Sequence, residues 1–171
     1  PCDSFQLSSG YTSINGKRCV FNWNTNKIPD PLALTERFHQ NGVKLCANIK
    51  PCLLTDNPLF HDAEEQGLFI RNNETEEPEI VQFWDGVGAY LDFTNRHTLQ
   101  WWKHHINAKL LSYGIDSTWN DNNEFEIWNG QARCHGFGQE IPIGLIRPLQ
   151  ALLMIKASFE AQQEAHPEKR P

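Results

Sequence analysis

Most of the short motifs that would assign a function at once are missing from this sequence. It has no G-x-S-x-G, no Walker loop and no H-E-x-x-H, which removes the usual signatures of a serine hydrolase, a phosphate-binding loop and a zinc protease. The five cysteines (Cys2, Cys19, Cys46, Cys52, Cys134) are odd in number and form no C-x-x-C pair. That spacing argues against a disulfide framework or a zinc ribbon and reads as reduced, mostly buried thiols. No apolar run approaches the ~20 residues a membrane helix needs, and no charged n-region precedes one. Basic charge is also sparse: Lys and Arg total 15 against 21 Asp and Glu, a net charge of −6 with no basic stripe. Phosphate-backbone binding is therefore disfavoured, and a neutral small molecule is the better partner. The expectation is a soluble cytoplasmic protein with no nucleic-acid or membrane partner. Asn73-Glu74-Thr75 fits the N-glycosylation pattern, which matters only in a secretory protein.

What is present fits one globular domain: 171 residues, 39% hydrophobic and 21% charged, enough to bury a sizeable core. Because the chain starts at Pro1 and ends in HPEKRP directly after a helical segment, it reads as a piece of a longer protein. Residues 2–8 are β-prone and run into Ser8, Ser9 and Gly10 as a strand leading into a loop. Asp30 as N-cap, Pro31 at the first helical position, apolar Leu32, Leu34 and Phe38, and Gly42 beyond the end predict a helix over 31–41. VKLCANI (43–49) follows as a second strand, so the order strand, helix, strand predicts a parallel βαβ unit. Residues 51–94 form a long excursion, with a small helix near 59–66, β-prone runs at 68–70 and 79–84, and a hairpin.

Thr94 or Asn95 caps a further helix, about 96–112, with Leu99, Trp102, Ile106 and Leu110 on one face and Gly114 closing it. IDSTW (115–119) is the third strand. IPIGLIRPLQALLMIKASFEAQQEAH opens a long helix whose Leu149, Leu152, Leu153 and Phe159 are expected to face a core. This alternation fits either an open doubly wound sheet or part of a (β/α) barrel.

In both architectures ligands sit at the carboxyl ends of the strands. The candidates are then Ser8 to Tyr11, Asn48 to Pro51, and Trp119 to Glu124. Trp84 and Trp119 lie near carboxylates, the company a sugar ring uses for stacking and charge stabilisation. Glycosidic cleavage needs two carboxyl groups. Spacing alone does not choose among Asp121, Glu124 and Glu126 for the first, and no convincing second is present. GVGAYL (86–91) shares only two glycines with a dinucleotide fingerprint, and His104-His105 on a helix point about 100° apart, which is unsuited to a joint metal site.

Several stretches match a known family in order: PCDSFQLSSGY, GKRCVFNWN running into IPDPLALTERFHQNGVKLCANIKP, GLFIRN, DGVGAYLDFTN, WW and YGIDSTWNDNNEFE. The chain resembles the catalytic barrel of glycoside hydrolase family 31, the α-glucosidase and α-xylosidase group, over nearly its whole length. The last stretch is similar to that family's W-x-D-M-N-E signature, with Asn122 where Met is usual.

The resemblance implies that residues 1–171 are a partial (β/α)8 (TIM) barrel, about strands 2 to 4 with their helices and a long excursion after the chain's second strand. It implies Asp121 as the nucleophile of a retaining mechanism and Glu124 as an acid supporting the nucleophile loop. Trp84 and Trp119 match positions lining the sugar pocket. Asn48, Lys50, Ser8 and Asn122 complete the substrate-binding set. The acid/base carboxyl is expected from a later strand, with no metal or organic cofactor.

Ser8 and Lys50 stand where the family commonly has Asp, or Asp or Asn, and set this chain apart from a plain α-glucosidase pattern. Arg96 replaces a Pro in a first helical turn that accepts many residues. The expected partner is an α-linked carbohydrate and the parent enzyme an α-glucosidase-like retaining glycosidase, with an α-galactosidase, an α-xylosidase or an α-transglycosylase as the alternatives. The rival from another class is a non-catalytic carbohydrate-binding piece, whose open sheet edges and apolar faces predict self-association.

Overall fold

The computed structural model describes residues 2–170. In chain order the strands are β1 (Ser4–Leu7), β2 (Ser13–Ile14), β3 (Lys17–Arg18), β4 (Lys44–Ile49), β5 (Cys52–Leu54), β6 (Ile80–Phe83), β7 (Gly86–Tyr90), β8 (Ser117–Asn120), β9 (Arg133–Cys134) and β10 (Ile141–Pro142). The α-helices are α1 (Pro31–Gln40), α2 (Phe60–Glu65), α3 (Arg96–Lys109) and α4 (Ile143–Ala165). The chain divides into two compact units: Pro1–Ile49, Trp102–Asp121 and Ala157–Pro171 form the first, and Lys50–Trp101 and Asn122–Lys156 the second.

The first unit is built on a parallel sheet ordered β1-β4-β8. Its βαβ unit is the one expected: β1 and β4 pair in parallel with Ser4 opposite Lys44 and Leu7 opposite Ala47. The intervening α1 starts where the sequence says it should. Asp30 Oδ1 accepts the amide of Ala33 at 3.0 Å, supplying one of the donors a helix N-terminus leaves open, and Pro31 has no amide to leave unpaired. Gly42 closes the turn after it at φ 73°.

On β4 the period of two sends Leu45, Ala47 and Ile49 to one fully buried face and Cys46 and Asn48 to the other. Within the same unit, Phe21 packs edge-on to Trp102 at 4.9 Å. Trp102 donates its indole N–H to Ser158 at 2.9 Å.

The second unit is the excursion. Its sheet is antiparallel, ordered β5-β7-β6, and the hairpin expected within the excursion is β6 and β7, paired Phe83 to Gly86. GVGAY is thus a strand, and Gly88 is there for space: a Cβ would come within 2.4 Å of the Leu53 carbonyl on β5. Asp92, only 2% exposed, fastens the segments after this sheet. Its carboxylate accepts Thr94 Oγ1 at 2.6 Å, Gln150 Nε2 at 2.7 Å and the amide of His135 at 2.5 Å.

On α1 Thr35 is the buried residue, its hydroxyl donating to the Tyr113 carbonyl. Two expectations are corrected. The third α-helix ends at Lys109, and residues 111–113 tighten into a 3₁₀ turn before Gly114 at φ 83°. Lastly, α4 does not bury the predicted face. Ile143, Gln150, Met154, Ala157, Ser158 and Ala161 are buried, whereas Leu152 is 61% and Phe159 46% exposed. A helix apolar on several sides has no single stripe for periodicity to select.

Candidate active site

In the first unit the parallel register delivers a row of side chains to the carboxyl ends of the strands. Asn48 lies opposite Trp119, and Ser8 follows directly on Leu7, the last residue of β1, which pairs with Ala47. Two residues beyond Trp119 on the same face comes Asp121. The ladder reaches it: the Asp121 amide donates to the Ile49 carbonyl at 2.9 Å. The alternate residue, Asn120, points the other way and accepts the Ser158 hydroxyl at 2.6 Å. Ser8 is exposed and Trp119 39% exposed, while Asp121 is half-buried.

Asn48 and Asp121 touch directly. The Asn48 amide Nδ2 donates to Asp121 Oδ2 at 2.8 Å. Asn48 is 2% exposed, and its Oδ1 has no hydrogen-bond partner among the described residues. The Asn48 main-chain carbonyl accepts the Tyr11 hydroxyl at 3.0 Å. Burial, reinforced by nearby Cys46, holds that hydroxyl far above its ordinary range, so Tyr11 is a neutral donor. Cys46 is itself pushed up by burial against the opposing Ser117 hydrogen bond, which keeps it an unreactive thiol.

The second unit holds the remaining candidates. Lys50, 6% exposed, donates its Nζ to Asn122 Oδ1. Asn122 and Phe125 both have left-handed backbone, φ 49° and 53°, an uncommon conformation for which Asn is among the tolerant residues. The loop is pinned behind Asn122. Phe125 is fully buried against Tyr90 at 4.9 Å, and the Arg147 guanidinium donates to the carbonyls of Phe125 and Ile127, the latter at 2.8 Å.

Glu124 is exposed. Its charge contributes, after burial, Cys52 and Glu126, to holding the Tyr90 hydroxyl above its usual range. Trp84 sits at the β6–β7 turn, 67% exposed.

The structure therefore joins Asn48 with Asp121 in one unit and Lys50 with Asn122 in the other. Among the described residues no group of three or more His, Cys, Asp or Glu is placed to hold a metal ion, and no helix is long and apolar enough to cross a membrane. No disulfide joins the described cysteines, of which Cys19, Cys52 and Cys134 are buried. Sequence reasoning missed two supporting residues. Tyr11 lay in the candidate range Ser8 to Tyr11 but carried no role of its own, and Arg147 is the only charge in the first twelve residues of α4, a signal that marks it out.

A parallel α/β sheet with an acid and an amide at its carboxyl edge defines an α/β fold of the kind found in open doubly wound sheets and TIM barrels. The chain belongs to glycosyl hydrolase family 31: the family's TIM-barrel domain model matches residues 1–171. The human neutral α-glucosidase C is 31% identical over 134 residues, 76% of this chain and 14% of that protein. An α-xylosidase of Lactiplantibacillus pentosus is 30% identical over 101 residues, 58% of this chain and 13% of that protein.

Among solved structures, a GH31 α-xylosidase from a soil metagenome, complexed with xylose, superposes with a TM-score of 0.82 at 17% identity over 99% of this chain and 24% of its own. The Flavobacterium johnsoniae GH31 dextranase, complexed with glucose, also gives 0.82, at 20% identity over 99% of this chain and 21% of its own. The chain thus spans 13–14% of the length of these curated relatives.

Proposed function

We propose that this chain is the nucleophile-bearing part of a retaining α-glycosidase, corresponding to about the second to fourth strands of the family's barrel. The observation supporting it is Asp121, one residue past a parallel strand, with its amide on the sheet ladder and its carboxylate on Asn48. In this reading an Asp121 oxygen bonds to the anomeric carbon as the glycosidic C–O bond breaks. The departing oxygen keeps the bonding electrons and takes a proton from a second carboxyl group, about 5–5.5 Å from the first in retaining enzymes, supplied by the parent barrel. Water then attacks the same carbon, that second group takes the water's proton, and Asp121 leaves as a carboxylate.

Trp119 and Trp84 offer faces to the sugar ring. Ser8, Asn48, Lys50 and Asn122 form the polar part of the substrate set, and Glu124 supports the loop. Relatives named as α-glucosidases and α-xylosidases, and neighbours complexed with xylose and glucose, support an α-linked glucoside or xyloside as the substrate class.

The test is the stereochemistry of the first product of the full-length enzyme, followed by proton NMR before mutarotation. The α-anomer is expected. Initial release of the β-anomer would mean direct displacement by water and would remove the covalent role of Asp121.

A further inference from the structure

Asn48 is buried at an energetic cost that folding does not require. Its Oδ1 is a buried acceptor without a partner among the described residues, a situation that costs folding free energy, and a leucine would fill the same volume without it. What the amide does provide is the Nδ2–H···Oδ2 contact to Asp121 at 2.8 Å. The strand ladder and the Tyr11 hydroxyl hold the Asn48 backbone on both sides, so this donor is fixed in place before any substrate arrives.

We propose that Asn48 is a positioning residue that acts on breakdown of the glycosyl-enzyme more than on its formation; this rests on the nucleophile reading of Asp121 above. In this role Oδ2 keeps the Asn48 amide while Oδ1 forms the ester. In the first step the carboxylate gives up negative charge, and the hydrogen bond to Oδ2 weakens as the ester forms. In the second step a water oxygen bonds to the anomeric carbon, a general-base carboxylate of the parent enzyme takes the water's proton, and the C1–Oδ1 bond breaks with its electron pair returning to Asp121. Charge then develops on Oδ2 facing a donor that is already aimed at it, and a hydrogen bond to an ionised acceptor is stronger than one to an ester oxygen. The donor therefore favours departure of Asp121.

The test uses the full-length enzyme as Asn48→Leu and Asn48→Ala, with a 5-fluoro glycosyl fluoride to trap the intermediate and an aryl α-glycoside for turnover. In both variants the trapped species should decay roughly ten- to a hundredfold more slowly. The aryl glycoside should show kcat and KM falling together, with kcat/KM held within about threefold, because KM falls when the intermediate accumulates. Asn48→Leu should keep or raise Tm, which a purely structural role would not allow.

Unchanged decay of label on Asp121 in both variants, or a kcat/KM loss as large as the kcat loss, would overturn the role of Asn48 while leaving the nucleophile in place. Label on another residue of the unmutated enzyme would instead overturn the nucleophile assignment and this role with it. Should Asn48→Leu fail to fold, the decay rate in Asn48→Ala decides.

Discussion

Replacing Arg147 by Met should loosen the segment that follows Asp121 while leaving the rest of its unit folded. The methionine keeps an apolar stem of similar length and removes both donors that hold the carbonyls of Phe125 and Ile127. Those residues are 0% and 1% exposed, so water does not readily replace the lost partner. Each charge-assisted bond contributes about 1.5–3 kcal/mol. One guanidinium serves both and the loop relaxes, so the two do not add, and about 2–4 kcal/mol of local stability is the working figure.

The Ile127 amide, which donates to the Phe125 carbonyl at 2.7 Å, reports the opening. Its hydrogen exchange in the full-length protein should accelerate roughly thirty- to nine-hundredfold relative to wild type. Since Asn122 and Glu124 lie on the same stretch, kcat/KM should fall in parallel. Exchange over 122–128 that is unchanged, or that rises only in step with the β5–β7 amides, would refute the claim that Arg147 pins this loop.

Two other outcomes follow from the same structure. Burial would raise the Asp116 carboxyl, but the Leu45 amide, His39 at 2.7 Å and Lys44 at 3.2 Å outweigh it and hold it below the usual carboxylate range. A depressed acid stabilises the fold above its unfolded-state pKa and loses that contribution as pH falls through the folded value. Asp116→Asn should therefore lower Tm near neutral pH, and the gap should close as urea titrations are taken to progressively more acidic pH. A gap that stays constant through the carboxylate range would exclude this linkage.

The isolated 171-residue chain should self-associate and show no turnover of a nitrophenyl α-glycoside. It exposes Leu145, Leu152, Ile155 and Phe159 along α4, and β1 and β8 are the outer strands of their sheet. Light scattering that reports a monodisperse monomer would contradict the first expectation, and measurable turnover the second.

The parts of this molecule legible in sequence are those set by neighbours in the chain. The cap at Asp30, Pro31 and Gly42 are local stereochemistry, and they located α1 to within a residue. The parallel βαβ order follows from turn residues and a short return loop, whereas GVGAY, the second strand of the β6–β7 hairpin, is not legible as a strand. Asp121 emerged because several motifs stood in family order, not because spacing distinguished it from Glu124 or Glu126.

What stayed hidden depends on partners distant in sequence. Asn48 meets Asp121 across 73 positions, and Tyr11 meets Asn48 across 37. Both contacts are consequences of strand register, which a one-residue slip would abolish. The buried face of α4 was missed for a related reason: Gln150 and Ser158 are buried because, each within its own unit, Asp92 accepts from Gln150 and Trp102 donates to Ser158. Polar residues with such partners do not announce themselves as core.

The central claim is that Asp121 forms the covalent bond to the sugar. The most direct measurement treats the full-length enzyme with a 5-fluoro glycosyl fluoride, quenches at low pH and maps the modified peptide by mass spectrometry. The account predicts one label, on Asp121 within the peptide containing residues 115–128, and none in Asp121→Asn. Label on Glu124, on Glu126 or outside this peptide would contradict it.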